Sequence, residues 1–112
     1  YRYEEPYDNV TMTGLVGLYE ICFEQSWKMM KEILENHGYE GAAIASPKFI
    51  IKTAYQASML QEEELWLSAL QARNNVTHSY NRAVALDIID QTKKHFYELF
   101  CQLKTTIDEN WL

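Results

Sequence analysis

The feature that most constrains the fold is one long segment, residues 10–37, in which apolar side chains recur every three or four positions. This spacing places them on one face of an α-helix, because a helix completes a turn in about 3.6 residues. The predicted stripe is Leu15, Leu18, Tyr19, Cys22, Ser26, Met29, Met30, Ile33 and His37, widened by Val16, Phe23, Trp27 and Leu34. A helix of this length can pack against another over most of a small bundle.

Start and stop signals predict three more helices. Gly38 and Gly41 follow the first helix, at positions where a left-handed backbone is easiest for glycine. Ser46 and Pro47 form a helix start, because the hydroxyl accepts an orphan backbone N–H and proline at the first position loses no bond. We therefore predict a helix over about residues 47–58.

The second half of the chain contains the other two predicted helices, over about residues 62–75 and 82–108. Three glutamates at 62–64 suit the first turn of a helix, where negative charge meets the positive end of the dipole. Residues 73–81 are rich in short polar side chains that compete with helical backbone, so we expect a break there, with Asn81 capping the last helix.

No segment alternates with a period of two, so we predict an all-α protein. The expected architecture is an antiparallel, up-and-down four-helix-type bundle that forms a single domain over residues 1–112. The 47% hydrophobic content, with 4 Gly and 2 Pro, excludes a disordered chain. No apolar run predicts a membrane span and no secretory signal is evident, so we expect a cytoplasmic protein with Cys22 and Cys101 as buried, reduced thiols.

Charge and motif content narrow the functional classes. The net charge of −6 argues against a protein that coats long nucleic acid, and we expect no DNA partner. Metal-ligand spacings such as His-x-x-x-His or Cys-x-x-Cys are absent from the sequence, so we predict no metal site. No glycine-rich phosphate loop occurs either.

The remaining candidate for chemistry is the polar run from Arg73 to Tyr80. Arg73 and His78 together supply a phosphate-binding fork and a proton carrier near neutrality, which metal-free RNA cleavage requires. On an unbroken helix the two would lie about 140° apart, so their convergence needs the predicted break. A structural interpretation stays open, in which Arg73 pairs with a carboxylate of another helix. In it, Asn74, Thr77 and His78 satisfy backbone groups at the helix break.

Three stretches resemble a known family. They are YEICFEQSWK at residues 19–28, SPK at 46–48, and ELWLSALQARN at 64–74 running into THSYN at 77–81. In this order they resemble the nucleotidyltransferase substrate-binding proteins, a helical branch of the HEPN superfamily. The family's first helix precedes the Tyr19 region, and only residues 1–9 stand before Val10, so we expect that helix to be absent or truncated.

The resemblance implies an accessory role. Family members usually form homodimers and are encoded beside a minimal nucleotidyltransferase, for which they bind or present the nucleotidyl acceptor. The Gly-Ser and Asp-x-Asp motifs of that transferase are absent from this sequence, so we predict the accessory subunit. ATP and Mg²⁺ are then expected on the partner, and no cofactor is expected on this chain.

The wider superfamily implies an alternative, a metal-independent ribonuclease toxin of a toxin–antitoxin pair. Its motif maps here onto Arg73, Asn74 and His78, with RNA as the substrate and the site composed across a dimer. A tyrosine two residues after the histidine, here Tyr80, receives AMP and silences the toxin. A second alternative is a helical dimer without chemistry, and whether the chain is an enzyme stays open at this point.

Overall fold

The computed structural model describes residues 7–111, apart from the side chain of Ala43. Within this range the chain forms five α-helices and no strand: α1 (Asn9–Asn36), α2 (Pro47–Gln56), α3 (Glu63–Asn74), α4 (Arg82–Gln91) and α5 (Tyr97–Asn110). Short 3₁₀ turns occupy Ala42–Ile44 and Asn75–His78, and a π-helical turn, Thr92–Phe96, joins α4 to α5. The all-α prediction is confirmed, with the predicted last helix divided by the π turn.

The helix ends follow the predicted capping chemistry. The Ser46 hydroxyl accepts the backbone N–H of Phe49 at 3.4 Å, and the Asn81 side chain accepts that of Ala83 at 2.9 Å. Asp8, which the sequence did not single out, caps α1 by accepting the N–H of Thr11 at 2.6 Å. Hydrogen bonding to the Thr11 backbone lowers the pKa of the Asp8 carboxyl. These caps satisfy backbone donors that the helices leave unpaired.

Gly38 and Gly41 adopt the left-handed backbone that the sequence predicted after the first helix. Their φ angles are 83° and 78°, in the region that L side chains rarely adopt. The chain therefore reverses after α1, and α2 packs back along it.

Aromatic rings fill the centre of the bundle. Tyr19 packs on Phe96 with centroids 5.4 Å apart, and Phe23 packs on Trp66 at 6.4 Å. The Tyr19 hydroxyl donates to the backbone carbonyl of Ala69, and burial raises the pKa of this phenol. Tyr19 thereby ties α1 to α3.

The predicted stripe on the first helix is partly wrong. Its buried face is centred on Met12, Tyr19, Phe23 and Met30. Cys22, Met29 and His37 were predicted to join this face, but they are exposed. The predicted stripe combined two neighbouring faces of one helix, and only one of them meets the core.

Cys101 is also exposed, so the prediction of two buried thiols is wrong for both cysteines. Buried side chains continue along α4, the π turn and α5 from Ala85 to Ile107, and Phe100 beside them is half-buried. In the π turn, the buried Thr92 hydroxyl donates to the Ile88 carbonyl at 2.8 Å. None of the helices in the described range is both long and apolar enough to cross a membrane.

Candidate functional site

The candidate site lies where α3 ends. α3 closes with Arg73 and Asn74, and the chain tightens into the 3₁₀ turn Asn75–His78 before α4 begins. The Thr77 hydroxyl donates to the Asn74 carbonyl at 3.4 Å, a local bond that competes with helical continuation. The predicted break is therefore confirmed.

Arg73 is held at the base of this break by a carboxylate of another helix. Its Nε donates to Glu24 Oε1 at 2.6 Å, and its Nη1 donates to Asn74 Oδ1 at 3.2 Å. The Arg73 side chain is 28% exposed and that of Glu24 is 26% exposed. The pair is thus partly sheltered from water, which strengthens a charge-assisted hydrogen bond. This contact matches the structural interpretation that the sequence left open.

Glu24 is bound on both oxygens. Its Oε2 accepts the indole N–H of Trp27 at 3.0 Å, and Lys28 lies 4.0 Å away. Partial burial opposes ionisation, but hydrogen bonds from Arg73 and Trp27 outweigh it and lower the pKa of this carboxyl. Glu24 is therefore ionised near neutral pH and fixes the direction of the Arg73 guanidinium.

His78 and Tyr80 lie on the far side of the break. Both are exposed, Tyr80 by 86%, and their rings meet edge to face with centroids 6.3 Å apart. Within the described residues, the side-chain hydrogen bonds of Arg73 go to Glu24 and Asn74 and none reaches His78. The structure therefore pairs Arg73 with Asn74 and His78 with Tyr80, without a hydrogen bond from Arg73 to His78.

A pocket of about 360 Å³ opens beside Tyr80, between the first half of α1 and the start of α4. Its walls include Thr13, Gly17, Glu20, Ser79 and Arg82. The guanidinium of Arg82 is anchored by bonds to the Tyr7 carbonyl at 3.1 Å and the Met12 sulfur at 3.2 Å. A group held near the Tyr80 hydroxyl would thus lie at the mouth of a mixed polar and apolar recess.

Glu24 and Trp27 are the site residues that sequence reasoning missed. Trp27 was assigned to the edge of the core, and Glu24 was only part of a resembling stretch. The available signal was their spacing, since residues three apart on a helix share one side. That spacing does not reveal a partner 49 positions away.

Glu62, Glu63 and Glu64 lie at the start of α3, as predicted, with Glu63 and Glu64 in its first turn. Among residues 7–111, no cluster of three or more histidine, cysteine, aspartate or glutamate side chains is arranged to hold a metal ion.

Comparison with known families gives a match over residues 1–109 to a family described as nucleotidyltransferase substrate binding protein like. A search of the curated proteins finds no significant match to this chain. The family match spans the first helix, the break and most of α5.

Proposed function

The chain belongs to the nucleotidyltransferase substrate-binding protein family, and from that premise we propose that it is the accessory subunit of a separate minimal nucleotidyltransferase. In this role it binds the transferase and binds or presents the acceptor of the nucleotidyl group. ATP and Mg²⁺ belong to the catalytic partner. The presenting surface is the segment of residues 74–81, which we name the break segment.

The observation that carries this proposal is the anchoring of the break segment at its base. The Glu24 carboxylate holds Arg73 where α3 ends, and the Asn81 cap holds the start of α4. Between these anchors, His78 and Tyr80 are exposed. A surface ordered before binding loses less conformational entropy when a partner docks, which favours affinity.

Co-expression with a minimal nucleotidyltransferase from the same genome tests this role. We expect the two proteins to co-purify as a stable complex at micromolar concentration. Purification of each protein alone, with no complex on mixing at that concentration, would contradict the proposal.

A ribonuclease is the second candidate, favoured by the exposed, adjacent rings of His78 and Tyr80. In a ribonuclease mechanism, His78 transfers the proton of the ribose 2′-hydroxyl or of the leaving group. Arg73 stabilises the charge that develops on phosphorus, and Asn74 orients the side chain of either His78 or Arg73. The bond between Arg73 and Glu24 weighs against it, because it neutralises part of the charge that phosphate would need.

The ribonuclease candidate predicts that His78→Ala abolishes RNA cleavage without lowering thermal stability. It also predicts silencing by the transferase: the Tyr80 oxygen attacks the α-phosphorus of ATP, pyrophosphate leaves, and the phenol proton passes to solvent. Intact mass would rise by about 329 Da, with no gain in Tyr80→Phe and an unchanged gain in the control Tyr55→Phe. Equal RNA cleavage by the parent and His78→Ala would reject this candidate.

A further inference from the structure

The pocket beside Tyr80, which we name the Tyr80 recess, runs along one side of α1. The α1 residues in its wall follow the helical spacing of three and four positions: Asn9, Met12, Thr13, Val16, Gly17 and Glu20. The opposite wall comprises Val76, Ser79 and Tyr80 of the break segment, together with the start of α4. The recess therefore continues the surface that the proposed function assigns to the transferase.

Gly17 leaves bare backbone in the α1 wall of the recess. Apart from its own helix backbone and its two chain neighbours, no atom of the described residues lies within 4 Å of the position that a Cβ on Gly17 would take. Glycine in a helix interior is destabilising relative to alanine, and core packing does not require it here, since an alanine would fit. Bare backbone beside an open recess allows another molecule to approach α1 closely.

Two side chains of opposite charge lie in the walls of the recess. Glu20 is exposed, and none of the described residues donates a hydrogen bond to its carboxylate or forms an ion pair with it. The Arg82 guanidinium donates to the Tyr7 carbonyl and the Met12 sulfur, which are uncharged acceptors and leave its positive charge without a counter-ion. Met12 and Glu20 lie about 12 Å apart along the helix axis, so the two charges mark opposite ends of the recess.

Tyr80 supplies an aromatic surface to the same recess. Its ring is 86% exposed, and among the described residues its one ring contact is with His78. A guanidinium group suits an aromatic ring beside an unpaired carboxylate, because it can stack on the ring and donate two parallel hydrogen bonds to the carboxylate. A lysine ammonium is a compact, strongly hydrated charge without this planar geometry. Of the basic side chains, arginine therefore matches both Tyr80 and Glu20.

The distribution of charge favours a protein segment over a nucleic acid strand as the occupant. A strand carries a phosphate at every nucleotide, and the Glu20 carboxylate would repel a phosphate at its end of the recess. The net charge of −6 adds to this repulsion. A protein segment can instead carry a cation for Glu20 and an anion for Arg82 at separate positions.

We propose that the Tyr80 recess is the socket for an arginine side chain of the transferase, an inference that rests on the proposed function. The guanidinium stacks on Tyr80 and pairs with Glu20, and its methylene stem lies on the bare backbone of Gly17. Arg82 binds a carboxylate of the same partner segment, about 12 Å from this arginine. Arginine is one of the residue types that contribute most to binding energy when they fill a pocket in an interface.

Charge reversal at Glu20 tests the socket in a titration with a minimal nucleotidyltransferase from the same genome. Glu20→Lys should weaken the complex about tenfold or more, because it places an ammonium against the incoming guanidinium. Glu35→Lys is the matched control, since it makes the same charge change at an exposed position about 22 Å further along α1.

The outcomes of this titration separate the socket from the accessory role. If the parent binds and Glu20→Lys binds equally well, or if Glu20→Lys and Glu35→Lys lose the same affinity, the socket is wrong and the accessory role stands. If the parent itself does not bind, the accessory role fails, and the partner assigned to the socket fails with it.

Filling the recess tests the same site without a change of charge. Gly17→Leu places its side chain in open space, so thermal stability should not fall below that of the parent. The leucine takes the position of the arginine stem, so the complex should weaken about tenfold or more. A Gly17→Leu variant that binds the transferase as tightly as the parent overturns the proposal.

A small probe tests the chemistry of the recess without the transferase. Titration with N-acetyl-arginine amide should shift the NMR signals of the Gly17, Glu20 and Tyr80 backbone amides, with a dissociation constant in the millimolar range. N-acetyl-citrulline amide is the matched control, because it has nearly the same shape and no charge, and it should shift them much less. No shifts with the arginine probe, or equal shifts with both probes, overturn the socket whether or not the transferase binds.

Discussion

Glu24 is the residue on which the candidate site depends. It holds Arg73 and Trp27 at once, and its pKa lies below the ordinary carboxyl value because these hydrogen bonds outweigh the cost of partial burial. The chemistry of Arg73 and His78 predicted these two residues as candidates, and the family resemblance added Asn74 and Tyr80. The sequence did not predict Glu24, because a periodic pattern shows which side of a helix a residue occupies and not which distant side chain it meets.

Glu24→Gln should lower the free energy of unfolding by about 1 kcal/mol at pH 7, because it removes the charge from a partly sheltered ion pair. A carboxyl with a lowered folded-state pKa stabilises the fold above its unfolded pKa and loses that effect as pH falls through the folded value. The difference between parent and variant should therefore be constant above about pH 5 and shrink in acid.

Denaturant unfolding at pH 7 and pH 3 measures this difference. Glu35→Gln is the control, an exposed carboxylate on the same helix, and should change little at either pH. A Glu24→Gln effect that is equal at both pH values would show that the ion pair does not contribute to stability.

At the scale of elements, local chemistry predicted helix ends better than helix interiors. The caps at Ser46 and Asn81 and the left-handed Gly38 were predictable, since each depends on a few neighbouring residues. The π turn was not predictable, because the apolar residues on either side of it keep the spacing of one continuous helix. Cys22 and Met29 were misassigned for a related reason, since a wide apolar pattern does not show how much of it the core covers.

Asn81→Ala should destabilise the protein by about 1 kcal/mol, because it removes the acceptor for the Ala83 backbone N–H in the first turn of α4. Asn81→Asp keeps an acceptor at the same position and should retain most of the stability. Thermal unfolding of both variants measures the difference. Equal melting temperatures for parent and Asn81→Ala would show that the cap does not set the start of α4.

At the scale of the whole molecule, the predicted all-α fold and the family are confirmed. The fold class follows from the periodicity of apolar residues over long segments, and a single sequence shows this periodicity completely. Surfaces that meet another chain carry a weaker signal, because an exposed apolar residue and a core residue look alike in a sequence. The transferase complex therefore stays a proposal.

Titration of a minimal nucleotidyltransferase from the same genome with this chain tests the central claim most directly. Calorimetry should give a dissociation constant of micromolar or tighter for the parent. Tyr80→Arg, in the break segment, should weaken binding about tenfold or more, whereas Tyr55→Arg on α2 should not. No binding by the parent, or equal binding by both variants, would contradict an accessory subunit that meets its transferase through the break segment.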